Sequence, residues 1–292
     1  LRLAVVASMV ASAPCAVANA QATPDCPDCA AWNAPAAPFR VFGNTYYVGT
    51  RGLTALLVTS PDGHVLIDGG LPESAPLIAG SIRALGFRVE DVRVIVNSHV
   101  HFDHAGGIAE LQRLSGSEVV ASARSIPVLQ QGSVGPDDPQ HGIIPPIAPV
   151  ARVRAIPADD TVRVGTLRLR ALRTPGHTPG GTSWTWTTCE GERCWAMVYG
   201  DSQSAISADG FLFSRSTTYP RVLDDFASGF AVLEQVRCDV LITPHPDASA
   251  LWARLARREK GEREAMRDPE GCKRYAATAR ERLAKRVASE QK

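Results

Sequence analysis

Residues able to bind a metal ion are concentrated in three short segments of the chain. The segments are 97–107, 175–179 and 243–246, and together they contain five of the seven histidines. Neutral imidazole and carboxylate groups are ligands that suit zinc. Six candidate ligands exceed the four of a structural zinc site, so the sequence predicts two metal ions or an open catalytic site. The candidates are His99, His101, Asp103, His104, His177 and His245.

The first segment supplies one group of ligands through its extended backbone. Residues 92–97 form an apolar run that predicts a strand, and alternate residues of an extended chain share a side. His99 and His101 can therefore face one point. Their natural third partner is His177, which lies between glycine and proline residues.

A second group of ligands follows from the turn after that strand. The turn brings Asp103 and His104 to a second point close to the first, and His245, after another apolar strand, completes that set. Gly106 and Gly107 are expected to let the backbone pass near the metals. Two three-ligand sites about 3.5–4 Å apart would leave room for a bridging hydroxide.

Alternating strand and helix patterns must position these segments. They occur in two similar halves, about 39–150 and 151–292, which predicts an α/β fold of two sheets packed face to face with helices outside. Residues 130–151 are rich in proline and glycine and predict a loop near the site. Strands are predicted at 39–49, 53–59, 64–68, 92–97, 118–123, 152–156, 161–164, 167–173 and 239–243, a hairpin at 182–200, and helices at 73–86, 105–115, 221–236, 248–266 and 272–290.

The N-terminal residues resemble an export signal. Residues 1–20 carry one charge, Arg2, followed by an apolar run that ends in Ala-Asn-Ala. This pattern predicts a secretory signal peptide cleaved after Ala20, a mature domain at 21–292, and a periplasmic location. Residues 21–38 are expected to form a loose leader. The chain has 31 basic and 30 acidic residues, so it has no charge pattern for nucleic acid or a membrane surface.

Six cysteines remain after that predicted cleavage, an even number that suits disulfides in an oxidising compartment. Cys189 and Cys194 flank a turn between two strand patterns, so we expect them to join a hairpin. Cys238 precedes a buried strand and Cys272 begins the last helix, so this pair would connect helix to sheet.

The sequence His99-Val-His-Phe-Asp-His104 resembles the HxHxDH signature of the metallo-β-lactamase superfamily. The resemblance extends from about Trp32 to about Val287 and is most similar to the third subclass of metallo-β-lactamases. It implies an αββα sandwich with two zinc ions per chain at the edge between the sheets. The other segments that resemble this subclass are 65–70, 175–186, 199–204 and 242–249.

The resemblance also implies roles for individual residues. The first zinc would be bound by the three-histidine group and the second by the aspartate group, with Asp103 also orienting the hydroxide. Ser202 stands where other subclasses have a cysteine ligand. Ser202 and Ser204 would bind the substrate carboxylate, and Gln140 would lie over the site.

Several nearby residues have more than one interpretation. Asp68 is expected to support the ligands through hydrogen bonds. Asp201 is either such a supporting residue, which we favour, or a carboxylate that bridges the metals. His64 and His141 are expected at the surface.

The pair Cys26 and Cys29 departs from the cysteine pattern of some relatives in this subclass. Cys26 and Cys29 form a Cys-x-x-Cys pair, for which a local disulfide is favoured over a zinc or redox site because no second pair of zinc-finger spacing follows. Some relatives tie the N-terminal cysteine to one where this chain has Arg51, so the resemblance also leaves Cys29 as the partner.

The predicted function is hydrolysis of the β-lactam ring of penicillins, cephalosporins and carbapenems by a zinc-bridging hydroxide, which gives antibiotic resistance. A monomer acting on a small molecule is expected, with no nucleic-acid or membrane partner. The alternative is a dizinc hydrolase of another ester, lactone or thioester, because fold and metal do not determine substrate. A non-catalytic zinc-binding protein is disfavoured, because the mixed sites leave room for solvent.

Overall fold

Two mixed β-sheets packed face to face form the centre of the molecule. This computed structural model describes residues 26–291, so the predicted signal peptide at 1–20 lies outside the described residues. The first sheet has seven strands in chain order, antiparallel from β1 to β4 and parallel from β4 to β7. Its strands are β1 Phe39–Phe42, β2 Thr45–Tyr47, β3 Leu56–Val58, β4 His64–Ile67, β5 Val92–Val96, β6 Glu118–Ser122 and β7 Val153–Ile156.

The second sheet has five strands in the order β12-β11-β10-β9-β8. All its neighbouring pairs are antiparallel except β11 and β12, which are parallel. Its strands are β8 Thr161–Val164, β9 Leu167–Arg173, β10 Thr182–Glu190, β11 Arg193–Tyr199 and β12 Val240–Ile242.

Helices cover the outer faces of both sheets. Buried residues of α2, α4 and α5 pack on the first sheet, and those of α6 and α8 pack on the second. This confirms the predicted αββα sandwich. The helices are α1 Cys29–Trp32, α2 Ala75–Ala84, α3 Phe102–Ala105, α4 Ile108–Ser115, α5 Ile126–Gln131, α6 Val222–Gln235, α7 Leu251–Glu259 and α8 Gly271–Ser289.

Side-chain alternation explains why the central strands are apolar at most positions. In β5, Val94 and Val96 pack between the two sheets while Ile95 packs under the helices. In β4, Val65 and Ile67 face inward and Leu66 outward in the same way. Parallel strands covered on both faces favour apolar residues at most positions, and β5 follows this pattern except at the exposed Arg93.

Some predicted elements differ in extent from the observed ones. The strand predicted at 39–49 is divided into β1 and β2 by a turn at Gly43, whose φ is +54°. The helix predicted at 248–266 ends at Glu259, because Gly261 has a φ of +97°, which an α-helix does not accommodate. Helix α5 was not predicted, and it ends before Gly132 at a φ of +81°.

The first sheet continues past residue 150, because β7 pairs with β6. The division of the chain into halves near that residue stays a prediction.

The expectation that His64 is a surface residue is wrong. His64 lies in β4, is 6% exposed, and packs edge-on against Phe87 with ring centroids 5.2 Å apart. His141 is exposed, as expected.

The structure contains the three expected disulfides. Cys189 and Cys194 lie opposite each other in the β10–β11 hairpin, and Cys238–Cys272 ties the start of β12 to the start of α8. The thiols of Cys26 and Cys29 are joined to each other, so they are not free to bind zinc. Between residues 26 and 291, no helix is long and apolar enough to cross a membrane.

Candidate metal centre

The three metal-binding segments meet at one edge of the sandwich. His99 follows the end of β5, His177 lies in the loop between β9 and β10, and His245 follows the end of β12. The turn after β5 is held by Asn97, whose side-chain amide donates to His99 O at 2.7 Å and to Asp68 Oδ1 at 3.1 Å. The short helix α3 then presents Asp103 and His104.

His99, His101 and His177 form the first group. Each offers one ligand atom, and these atoms lie within 4.8 Å of one another. One nitrogen of each ring contacts an acceptor outside the group, so its tautomer is determined and the other nitrogen can face a metal. The outer contacts are His99 Nδ1 to Asp201 Oδ1 at 2.8 Å, His177 Nδ1 to Ser204 O at 2.8 Å and His101 Nε2 to Asp138 Oδ2 at 3.1 Å.

Asp103, His104 and His245 form the second group. Asp103 Oδ2 lies 3.1 Å from His104 Nε2 and 3.2 Å from His245 Nε2, and the two nitrogens approach each other to 3.3 Å. His99 also lies within 4.8 Å of Asp103 and His104, so the two groups adjoin. The His245 side chain is 34% exposed, so the second group opens to solvent.

The chemistry of these atoms fits zinc. His99 Nε2 is buried and has no hydrogen-bond partner among the described residues, a costly situation that a metal ion would relieve. Two imidazole nitrogens and a carboxylate oxygen within 3.3 Å of each other would likewise be satisfied by one cation.

The surroundings of His99, Asp103 and His177 favour the protonation states that bind a metal ion. Burial lowers the pKa of His177 to about 3, with a further contribution from nearby His101. Burial also holds the pKa of His99 well below its ordinary value. Burial alone would raise the pKa of Asp103, but His104 and His245 outweigh it and hold that pKa well below the usual range. His99 and His177 are therefore neutral and Asp103 is ionised near neutral pH.

The two neighbouring aspartates lie behind the ligands. Asp201 contacts the His99 nitrogen that is turned away from the other ligands, which favours a supporting role over a bridging one. Asp68 is buried and accepts hydrogen bonds from Ser98 N at 2.7 Å, Ser98 Oγ at 2.6 Å and Tyr199 OH at 2.8 Å. With its oxygens occupied in this way, Asp68 supports the turn that carries His99.

A cleft of about 640 Å³ opens above the two groups. The three residues predicted to bind substrate, Ser202, Ser204 and Gln140, all line it. Gln140 Nε2 lies 3.3 Å from His101 Nδ1. Ser204 contacts His177 Nδ1 through two atoms: its carbonyl oxygen at 2.8 Å and its Oγ at 3.2 Å.

Gly106 and Gly107 pack closely against residues 69–72. That they let the backbone pass near the metals stays a prediction. A Cβ on Gly107 would lie 2.3 Å from Gly69 O, and one on Gly106 would lie 2.5 Å from Pro72 Cδ. These glycines therefore allow α3 and α4 to approach the segment after β4.

Two residues of the site were not found from the sequence. Asp138 lies in an aperiodic loop, where nothing in the sequence distinguishes it from Asp137. Trp32 belongs to the segment expected to be a loose leader. In the structure, the Trp32 carbonyl accepts from Thr50 Oγ1 at 2.7 Å and Gly52 N at 3.0 Å, and its ring lies 5.1 Å from that of His245.

Comparisons with known proteins agree with this geometry. The family model of the metallo-beta-lactamase superfamily matches residues 48–188. The solved structure of Rm3 metallo-beta-lactamase matches this one with a TM-score of 0.90, and the two sequences are 54% identical. The match covers 92% of this chain and 100% of that chain. MEM-A1, a subclass B3 metallo-beta-lactamase isolated from a soil metagenome library, is 52% identical, with a TM-score of 0.88, over 89% of this chain and 98% of that one.

Curated relatives match a shorter part of the chain. A hydroxyacylglutathione hydrolase of Rhodopseudomonas palustris (strain BisB18) is 32% identical over 202 residues, which is 63% of this chain and 64% of that protein. The probable metallo-hydrolase YflN of Bacillus subtilis (strain 168) is 28% identical over 155 residues, or 46% of this chain. The chain thus spans 58% of YflN and 64% of the hydroxyacylglutathione hydrolase.

Proposed function

The chain belongs to the metallo-beta-lactamase superfamily, and we propose that it is a zinc-dependent β-lactamase of subclass B3, the third subclass. The observation that carries this proposal is the 54% identity to Rm3 metallo-beta-lactamase over the whole of that chain. A match of this extent includes both ligand groups and the cleft above them, whereas the hydroxyacylglutathione hydrolase is covered over 64% of its length.

We assign one zinc ion to His99, His101 and His177 and a second to Asp103, His104 and His245. The inward nitrogen of His99, which has no hydrogen-bond partner among residues 26–291, supports the first site. The mutual distances of 3.1 to 3.3 Å support the second. Zinc bound there would polarise a carbonyl group and lower the pKa of a water molecule to about 7.

The protein residues then position the reactants. Asp103 stays ionised and lines the cleft, so its carboxylate can accept a hydrogen bond from the attacking water and orient it. Ser202 and Ser204 offer hydroxyl donors to the substrate carboxylate, and Gln140 offers an amide from the opposite loop. In this scheme the protein supplies no side-chain nucleophile, so no acyl-enzyme forms.

We further propose that the mature domain acts in the periplasm as a monomer, where it would destroy antibiotics and give resistance. The three disulfides support this location, because they form and persist in oxidising compartments. A single chain contains all six assigned ligands, so the site needs no second copy.

A second candidate activity is hydrolysis of a thioester or lactone. It is favoured by the similarity to hydroxyacylglutathione hydrolases and rests on the same metal centre. Its substrates contain a thioester or lactone in place of the β-lactam amide, so direct comparison of turnover separates the two.

A substrate panel tests the proposed function. Purified zinc-loaded protein should hydrolyse a penicillin, a cephalosporin and a carbapenem, while an acyl-glutathione and an acyl-homoserine lactone are turned over far more slowly. Removing zinc with a chelator should abolish activity, and adding zinc should restore it. Turnover of the thioester or lactone without any β-lactam would favour the second candidate. Full β-lactamase activity after complete zinc removal would contradict both.

The two serines are expected to act on substrate binding and not on metal binding. A hydrogen bond to a charged carboxylate is worth about 1.5–3 kcal/mol. Changing Ser202 and Ser204 together to alanine should therefore raise KM about tenfold or more, with kcat little changed. Zinc content should stay constant, because the Ser204 carbonyl that contacts His177 remains in the variant.

Steady-state kinetics and metal analysis of the double variant check this prediction. The exposed Ser214, which does not line the cleft, provides the control substitution to alanine. An unchanged KM, or the loss of a zinc ion, would show that the serines have another role.

A further inference from the structure

We propose that Asp138 is a positioning residue that couples the first metal site to the loop over the cleft. The proposal rests on the zinc assignment made above and extends it to a residue outside the ligand set. Asp138 lies in the loop between α5 and β7, a segment without a helix or strand. Its side chain is nevertheless buried, at 3% exposure.

On one side, the Asp138 carboxylate determines the state of His101. Its two oxygens lie 3.2 and 3.1 Å from His101 Nε2. A carboxylate there accepts a hydrogen bond from Nε2–H, which keeps the proton on Nε2 and leaves the lone pair of Nδ1 to bind a metal ion. Without that acceptor, the imidazole could carry its proton on Nδ1 or rotate, and either change removes a metal ligand.

On the other side, the same carboxylate determines the path of the loop. Asp138 Oδ1 accepts from Gln140 N at 2.8 Å. The Asp138 backbone adds two more bonds, from its N to Gly135 O at 3.0 Å and from His141 N to its O at 3.0 Å. These contacts place the Gln140 side chain in the cleft, with its Nε2 at 3.3 Å from His101 Nδ1.

One buried side chain therefore restrains both a metal ligand and the residue above it. If zinc binding at the first site fixes the His101 ring, it also stabilises Asp138 and the loop. Conversely, a loosened loop weakens zinc binding, because the coupling between two sites is reciprocal. Ordering of the loop at 132–151 should thus depend on zinc, in the absence of any substrate.

Three variants test this inference, with zinc affinity measured on metal-depleted protein by competition with a chromophoric chelator. Asp138→Ala should weaken one of the two zinc affinities about 10–100-fold, the usual effect of removing a partner of a ligand. Asp138→Asn keeps an oxygen acceptor without its charge, so it should weaken that affinity measurably but by no more than about tenfold. Asp137→Ala is the matched control, because Asp137 is the adjacent aspartate and pairs only with exposed Arg124 at 3.2 Å among its described contacts.

Hydrogen exchange provides a second readout that does not depend on activity. In wild-type protein, zinc should slow the exchange of amides in 132–151, and Asp138→Ala should abolish that protection while Asp137→Ala keeps it. If Asp138→Ala does not fold, Asp138→Asn takes its place, with weakened zinc binding and partial loss of protection expected.

The outcomes separate this inference from the proposed function. Wild-type zinc affinity and loop protection in the Asp138 variants would overturn the positioning role and leave the β-lactamase proposal intact. A wild-type protein that binds no zinc, or hydrolyses no β-lactam, would instead contradict the proposed function.

Discussion

Replacing His245 with alanine is expected to leave about one zinc ion per chain and to reduce kcat/KM by about a hundredfold or more. His245 Nε2 lies 3.2 Å from Asp103 Oδ2 and 3.3 Å from His104 Nε2, so its removal opens the second site to solvent. The first group keeps all three of its imidazoles. Removing a residue that hydrogen-bonds to a metal ligand already costs about 10–100-fold in metal affinity or activity. Removing the ligand itself should cost at least as much.

Metal analysis after dialysis, together with cephalosporin kinetics, measures this effect. His141→Ala is the control, because His141 is exposed and its side chain contacts only the Val134 carbonyl, at 3.2 Å, in the described structure. Equal loss of both zinc ions from His245→Ala would contradict the assignment of His245 to a single site. Retention of both ions would show that His245 is not a ligand.

Replacing Cys238 and Cys272 together with alanine is expected to lower the free energy of unfolding by about 4 kcal/mol. The disulfide joins residues 34 apart, and closing a loop of that length restricts the unfolded chain by this amount. Both cysteines are buried, at 6% and 1% exposure, where the strand β12 meets α8. The loss should therefore destabilise the whole second layer of the sandwich.

Urea unfolding of metal-depleted protein measures the change without a contribution from zinc binding. The pair Cys26 and Cys29 provides the comparison, because it closes a loop of three residues and should contribute about 2 kcal/mol by the same relation. An equal effect of the two double substitutions would mean that loop length does not determine their contributions.

The cluster of candidate metal ligands in the first segment could be predicted because its signal is local. His99, His101, Asp103 and His104 lie within six consecutive residues, so the covalent geometry of a strand end and a turn brings them together whatever the rest of the chain does. The sandwich was predictable for a related reason. Apolar runs bounded by turn residues determine where strands lie, and helices must cover faces that would otherwise expose those runs to water.

A supporting role was expected for Asp201, but which ring each supporting group contacts could not be predicted in the same way. His99 and its acceptor Asp201 are separated by 102 residues, and His101 and Asp138 by 37. The acceptor of His177 is a backbone carbonyl, at Ser204, which carries no signal of residue type. Only the path of the folded loops decides which acceptor reaches each ring.

Burial at single positions was likewise decided by tertiary packing. His64 follows a turn, and turn neighbours are usually exposed, but Phe87 packs over it between β4 and the segment after α2. Trp32 reaches His245 because three backbone and side-chain hydrogen bonds attach residues 32–34 to residues 50–52. The sequence by itself determined the candidate metal-binding groups and the layers of the fold, because both follow from residue type and short-range spacing. The supporting contacts that tune this chemistry depend on long-range approach, which only the assembled sandwich defines.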